Sequence, residues 1–268
     1  MRPIIDCHCH IYPDKIAEKA AQATGRFYDI PMCCDGKIST LREEGAKAGI
    51  DRYLIFSVST KPEQTASINR YIATIVAENR DCMLGLGTVH PHDPDLVGEV
   101  ENIISLDLRG IKMHPDIQGV ALDDPRCMAV YEACEGRIPV LLHTGDYRYD
   151  FSNTNRLIPI LKRFPRLTVI GAHFGGWSVW EKATEELFEY ENFYVDCSSS
   201  LYAISPETAK RLIRTYGANK VLFGTDYPMW HPAEEVARFD AIGLTEQESR
   251  RILWENAEEM FGFSTKKA

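Results

Sequence analysis

The sequence predicts an α/β protein, a single (β/α)8 TIM barrel over residues 1–268, and three observations carry that prediction. Short apolar runs at 4–8, 53–58, 83–89, 108–113, 138–143, 167–173, 193–197 and 220–226 end in polar or glycine residues. Strands buried on both faces of a parallel sheet read this way. Stretches with helical spacing separate the runs, giving eight strand–helix alternations in 268 residues, the count and length of such a barrel. No G-x-G-x-x-G follows the first run, which counts against an open doubly wound sheet.

Helix starts are marked by their chemistry. Thr60-Lys61-Pro62-Glu63 offers a capping box with proline in the first turn, ahead of Ile68, Ile72, Ile75 and Val76. Asp124-Pro125 opens a helix carrying Met128, Tyr131 and Cys134, and Ser205-Pro206-Glu207 opens one carrying Leu212 and Ile213. Thr245-Glu246-Gln247-Glu248 is a second capping box, ahead of Ile252, Leu253, Met260 and Phe261. The segment 11–37 holds Tyr12, Phe27, Tyr28 and the pair Cys33-Cys34. It reads as a long loop of the kind that covers active sites. Residues 264–268 read as a frayed tail.

Composition narrows the function classes. The chain is 44% hydrophobic with a net charge of -9, which argues against nucleic acid or an anionic membrane as partner. No apolar run approaches the ~20 residues of a membrane span, and no signal peptide is visible at the N-terminus. The eight cysteines are scattered, so free thiols in a reducing, cytoplasmic setting are expected. Cys7 and Cys9 are expected to be small buried residues. Cys33-Cys34 lacks the C-x2-C spacing of a metal site.

The candidate site begins at Asp6-Cys7-His8-Cys9-His10. On a strand alternate side chains share a face, so His8 and His10 project together and can share one metal ion. Active sites of such barrels lie at the C-terminal ends of the strands. Strand four ends in Lys112 and His114, strand five in His143, strand six in His173 and strand eight in Asp226. Gly110, Lys112 and His114 share one face of strand four. His90 is a further pocket candidate, while His92 and His231 read as loop residues.

Asp6-x-His8-x-His10, Gly110-Ile111-Lys112-Met113-His114-Pro115, His143 after an apolar strand, Ala172-His173-Phe174-Gly175-Gly176 and Gly224-Thr225-Asp226-Tyr227-Pro228 together resemble the amidohydrolase superfamily. Within it they are most similar to the amidohydrolase 2 family, which includes aminocarboxymuconate-semialdehyde and resorcylate decarboxylases as well as hydrolases. The resemblance implies that His8, His10, His143 and Asp226 hold one divalent metal, most often zinc, with His173 beside it either completing its shell or handling protons and charge. It also implies a homodimer. TatD-type nucleases would place a glutamate at the end of strand four, where this chain has Lys112 and His114.

Two chemistries follow. In the first, a metal-activated water attacks an amide, ester or lactone carbonyl, with Asp226 accepting its proton. In the second, an aromatic or enol carboxylate loses CO2. Hydrolysis is the first expectation. Lys112, His114 and Arg148 are the expected contacts to a small anionic substrate, with Lys112 plain rather than carbamylated. Tyr12, Trp177, Tyr227 and Trp230 are expected to form an aromatic wall. Gly175-Gly176 is expected to open a helix N-terminus towards an anion.

Overall fold

The computed structural model describes residues 2–263; the tail expected at 264–268 lies outside the described residues. Strands form at Ile5–His10 (β1), Arg52–Phe56 (β2), Met83–Gly85 (β3), Gly87–Thr88 (β4), Ile111–Met113 (β5), Val140–Leu142 (β6), Val169–Gly171 (β7), Phe193–Asp196 (β8) and Val221–Leu222 (β9). Helices fill the intervals, so the predicted alternation is present. The predicted run 83–89 is broken at Leu86 into β3 and β4. The described residues fall into two compact units: 2–56 with 79–84 and 197–263, and 57–78 with 85–196.

In the first unit β1 is flanked on both sides. It pairs in parallel with β2, from Ile5 opposite Arg52 to His10 opposite Phe56. On its other side lies the chain that continues β9. Cys7 N–H donates to the Phe223 carbonyl (2.9 Å), His10 N–H donates to that of Tyr227 (2.7 Å), and Cys9 stands opposite Tyr227. Ile5, Cys7, Cys9 and Ile55 are buried, as expected of a doubly covered strand. Between Asp6 and Cys9 the register slips, three steps along β1 matching two along β2. The His8 N–H turns to Asp6 Oδ1 (3.1 Å).

The predicted caps of this unit are present. Ser205 Oγ accepts from Thr208 N–H (3.2 Å), and Thr245 and Glu248 close a reciprocal box. The segment 11–37 is a correction, because it holds the helix Ala17–Tyr28. Its buried residues Ala17, Ala21, Gly25 and Tyr28 recur every four or three positions, but three of them are too small to register as an apolar stripe.

The helix Pro232–Ala241 buries one carboxyl fully, Glu235. Burial pushes it from 4.5 up to about 7, against the pull of the Arg238 guanidinium. Between those values the folded chain keeps a proton that the unfolded chain has released. This group's contribution to stability therefore falls as pH rises from about 4.5 to about 7, and is level above. A shift of that size corresponds to about 3 kcal/mol. Glu235→Gln should remove the titration, so urea melts at pH 5 and pH 8 should show the variant gaining on the wild type at the higher pH. Identical pH slopes for the two proteins would refute this.

In the second unit β4, β5, β6, β7 and β8 run parallel in that order. Ile111, Val140, Val169 and Phe193 stand level across β5 to β8. The expected box at Thr60 is shifted by one residue, because the first turn, Pro62–Gln64, is a 3-10 turn capped by Lys61. Gln64 Oε1, not Glu63, accepts from Thr60 N–H (2.9 Å) and Lys61 N–H (3.2 Å). Asp124 caps its helix through Arg126 N–H (2.9 Å), as predicted. No helix among the described residues is long and apolar enough to cross a membrane.

Candidate metal centre

The pairing of β1 with residues 223–227 is what brings Asp226 to the histidines. With Cys9 opposite Tyr227, the preceding residue falls beside the imidazoles of His8 and His10. Asp226 Oδ1 lies 3.4 Å from His8 Nε2 and 3.5 Å from His10 Nε2. The three ligand atoms all lie within 4.8 Å of one another. Donors at about 2.0–2.2 Å from one ion stand roughly 3–4 Å apart, so two imidazoles and one carboxylate at this spacing fit a divalent cation. Phe56 meets both rings edge-on, at 5.1 and 4.8 Å between centroids, closing one side with an apolar wall.

Two side chains that sequence reasoning left without a role hold this cluster. Asp6 is fully buried. Its Oδ1 accepts from Thr225 N–H (2.9 Å) and its Oδ2 from Thr225 Oγ1 (2.5 Å), tying β1 to the residue before Asp226. Burial pushes the Asp6 carboxyl up to about 6, against the pull of those Thr225 bonds. Ser199 Oγ donates to Asp226 Oδ2 (2.5 Å). Ser199 and Asp226 both have left-handed backbones, at φ 43 and 58, and strain of this kind in non-glycine residues gathers at functional sites. The available signals were the aspartate opening the first motif and the serine run after β8.

The second unit gathers the other imidazoles. His173 Nε2 lies 3.2 Å from His143 Nδ1, and His114 stacks on His143 with 3.9 Å between centroids and 7° between planes. His114 Nδ1 accepts from Ile117 N–H (3.3 Å), capping a helical turn. Asp116, unremarked in the sequence, sets Oδ2 3.8 Å from His143 Nε2. Its other oxygen accepts from Ser152 N–H (3.2 Å), and burial pushes the carboxyl up to about 6. His173 too is left-handed, at φ 61. Lys112 is fully buried on β5.

Arg148 is half-buried, and Asp146 accepts from its Nη2 (2.6 Å) and Nε (3.0 Å). Its guanidinium also lies 5.4 Å from the Trp177 ring centroid and 5.3 Å from that of Tyr149. Asp146 was the missed partner that fixes this guanidinium.

Two expectations are corrected. Tyr227 does not line a wall: it is fully buried and donates its hydroxyl to the Lys37 carbonyl (2.7 Å). Gly175-Gly176 opens no helix, since the next one is Trp180–Leu187. Trp177 instead ties its N–H to the Thr144 carbonyl (2.7 Å). His231 is a loop residue, as expected, standing just before the helix Pro232–Ala241 with Nδ1 3.7 Å from Cys34 Sγ. Burial pushes that thiol up to about 12. His90, the further pocket candidate, is buried, and its Nδ1 accepts from His92 N–H (3.3 Å).

Comparison with known proteins adds to this geometry. A family model described as Amidohydrolase matches residues 5–263. The 2-amino-3-carboxymuconate-6-semialdehyde decarboxylase of Dictyostelium discoideum is 24% identical over 261 residues, covering 80% of this chain and 72% of its own. An uncharacterized TIM-barrel protein from Bordetella bronchiseptica matches with a TM-score of 0.79 at 21% identity, over 97% of this chain and 99% of its own. A dihydroxybenzoic acid decarboxylase from Polaromonas sp., solved with bound manganese and the inhibitor 2-nitroresorcinol, matches with a TM-score of 0.77 at 18% identity, over 98% and 97%. These likenesses show the predicted (β/α)8 barrel as the fold. The family match runs through every motif quoted from the sequence, and the chain belongs to the amidohydrolase family.

Proposed function

We propose that this chain is a divalent-metal-dependent carboxy-lyase that removes CO2 from a small aromatic or enol carboxylate. The observation that carries the reading is that a relative and a structural neighbour matched over most of the chain are both decarboxylases. Hydrolysis, the first expectation from the sequence, has the family match behind it and no more. The proposed ligands are His8, His10, His143 and Asp226. The first, second and fourth rest on their spacing in the first unit, and His143 on its sequence motif. Zinc was expected; the manganese of the Polaromonas structure makes that ion the first to test.

A divalent cation so held would supply positive charge against the oxygens of a bound carboxylate and phenolate or enolate. The side chains do the rest. Asp226 commits Oδ2 to Ser199 and turns Oδ1 towards His8 and His10. Lys112 and Arg148 are the proposed anion contacts. Asp146 fixes the Arg148 fork beside the Trp177 face, a surface suited to a planar acid. His173 is assigned the proton, because imidazole is the side chain that changes charge near neutral pH. The carbon bearing the carboxylate takes that proton and the bond to the carboxylate breaks. The bonding pair returns to the π-system and CO2 leaves, consuming one proton per turnover.

The test is turnover of hydroxybenzoates and enol carboxylates in D2O by protein loaded with Mn2+ or Zn2+. The expected result is CO2 with one deuterium at the vacated carbon. A protein that releases no CO2 from this panel but opens amides or lactones to new acids is a hydrolase, and the proposal fails.

A further inference from the structure

Asp226 reaches the histidines with one oxygen because its other oxygen is held from behind, and the chain of contacts that holds it continues well past Ser199. Trp230 Nε1–H donates to Ser199 Oγ (2.8 Å). A serine hydroxyl has one proton and two lone pairs, and an indole can only donate. The Trp230 donation occupies a lone pair of Ser199 and leaves the single hydroxyl proton for Asp226 Oδ2, 2.5 Å away. Successive bonds of this kind polarise and strengthen one another.

The indole is itself gripped. Tyr202 stacks on one side with 4.5 Å between centroids. The Arg238 guanidinium lies 5.4 Å from the ring centroid. Glu235 Oε1 in turn accepts from Arg238 Nη1. Glu235 is fully buried and its Oε2 has no hydrogen-bond partner among the described residues. A buried carboxylate left half satisfied costs stability, and here it anchors the arginine that sits over Trp230.

We propose that Trp230 and Ser199, backed by Arg238 and Glu235, are positioning residues that force Asp226 to bind the cation through Oδ1 alone. This rests on the reading of Asp226 as a metal ligand. Residues that orient a metal ligand typically change metal affinity 10–100-fold when removed. Trp230 acts only through Ser199, so the two must be coupled rather than additive.

The experiment is titration of metal-free full-length protein with Mn2+, read as the dissociation constant, for wild type, Ser199→Ala, Trp230→Phe and the double variant. Trp230→Phe keeps an aromatic ring for Tyr202 and Arg238 while removing the N–H together with the rest of the pyrrole ring, so it serves even where Ser199→Ala folds poorly. The expected result is an affinity loss of about 10-fold or more for Ser199→Ala, a smaller loss for Trp230→Phe, and a double variant no weaker than Ser199→Ala. An affinity for Trp230→Phe within twofold of wild type overturns the proposal, as does a double variant whose losses multiply. A wild type that binds no Mn2+ overturns the ligand reading itself, and the positioning role with it. Tight wild-type binding with unaffected variants overturns the positioning role alone.

Discussion

His10→Ala is expected to abolish metal binding and CO2 release together, with turnover falling by about 10³-fold or more. His10 is the informative ligand to remove. Its side chain is 16% exposed against 1% for His8, so truncation leaves a solvent-reachable gap rather than a sealed cavity. The fold should then survive, and the loss can be read as loss of a donor. Two measurements separate these effects. Metal content of purified protein should drop from stoichiometric to trace. The melting temperature in chelator should match that of wild type in chelator, while added Mn2+ stabilises wild type only. A ligand at a hundred times its dissociation constant adds about 2.7 kcal/mol, which a thermal melt resolves easily. His143→Ala, assigned from its motif, is expected to behave the same way. Full metal content in either variant would remove that residue from the ligand set.

What the sequence disclosed about this centre follows from what local rules can encode. Alternation on a strand put His8 and His10 on one face, and strand ends singled out Asp226; in the first unit the three donors do meet. The slip in register at Asp6–Cys9 was not legible, because it depends on where the Asp6 carboxylate finds donors. Beside the local His8 N–H, two of those donors belong to Thr225, more than two hundred residues later. Ser199 was invisible for the same reason, since its bond to Asp226 spans 27 positions. Strand eight was predicted as 220–226, yet regular strand stops at Leu222. Beyond it the chain still pairs with β1, but Asp226 turns left-handed to present its side chain, and a positive φ at an aspartate has no sequence signature. Tyr227 failed as a wall residue because the segment 11–37 folds back and offers it the Lys37 carbonyl. That contact follows from tertiary folding, not from spacing.

Gly145→Ala should be the most damaging single methyl added to the second unit. Gly145 has φ 81, where an L side chain costs roughly 1–2 kcal/mol. A Cβ there would lie 2.4 Å from Gly176 Cα and 2.9 Å from Val179 Cγ2. The first of these is backbone and cannot rotate away. It belongs to the turn that Thr144 holds through Trp177 N–H at 2.7 Å, so the turns after β6 and β7 must part. Overpacking of this kind costs about 1–3 kcal/mol more, and each kcal/mol shifts the melting temperature of a chain this size by roughly 2–4 °C. A loss of about 10 °C is therefore expected. Gly119→Ala is the control. Its φ is 66, and a Cβ there would meet nothing within 4 Å among the described residues, so it carries the backbone strain without the collision and should lose only about a third as much. Arg148 and Asp146 follow directly after Gly145, so Gly145→Ala should also lower turnover at temperatures where it is still folded, and Gly119→Ala should not. Equal melting losses in the two variants would mean that backbone strain, not the meeting of the turns at Gly145 and Gly176, sets the requirement for glycine.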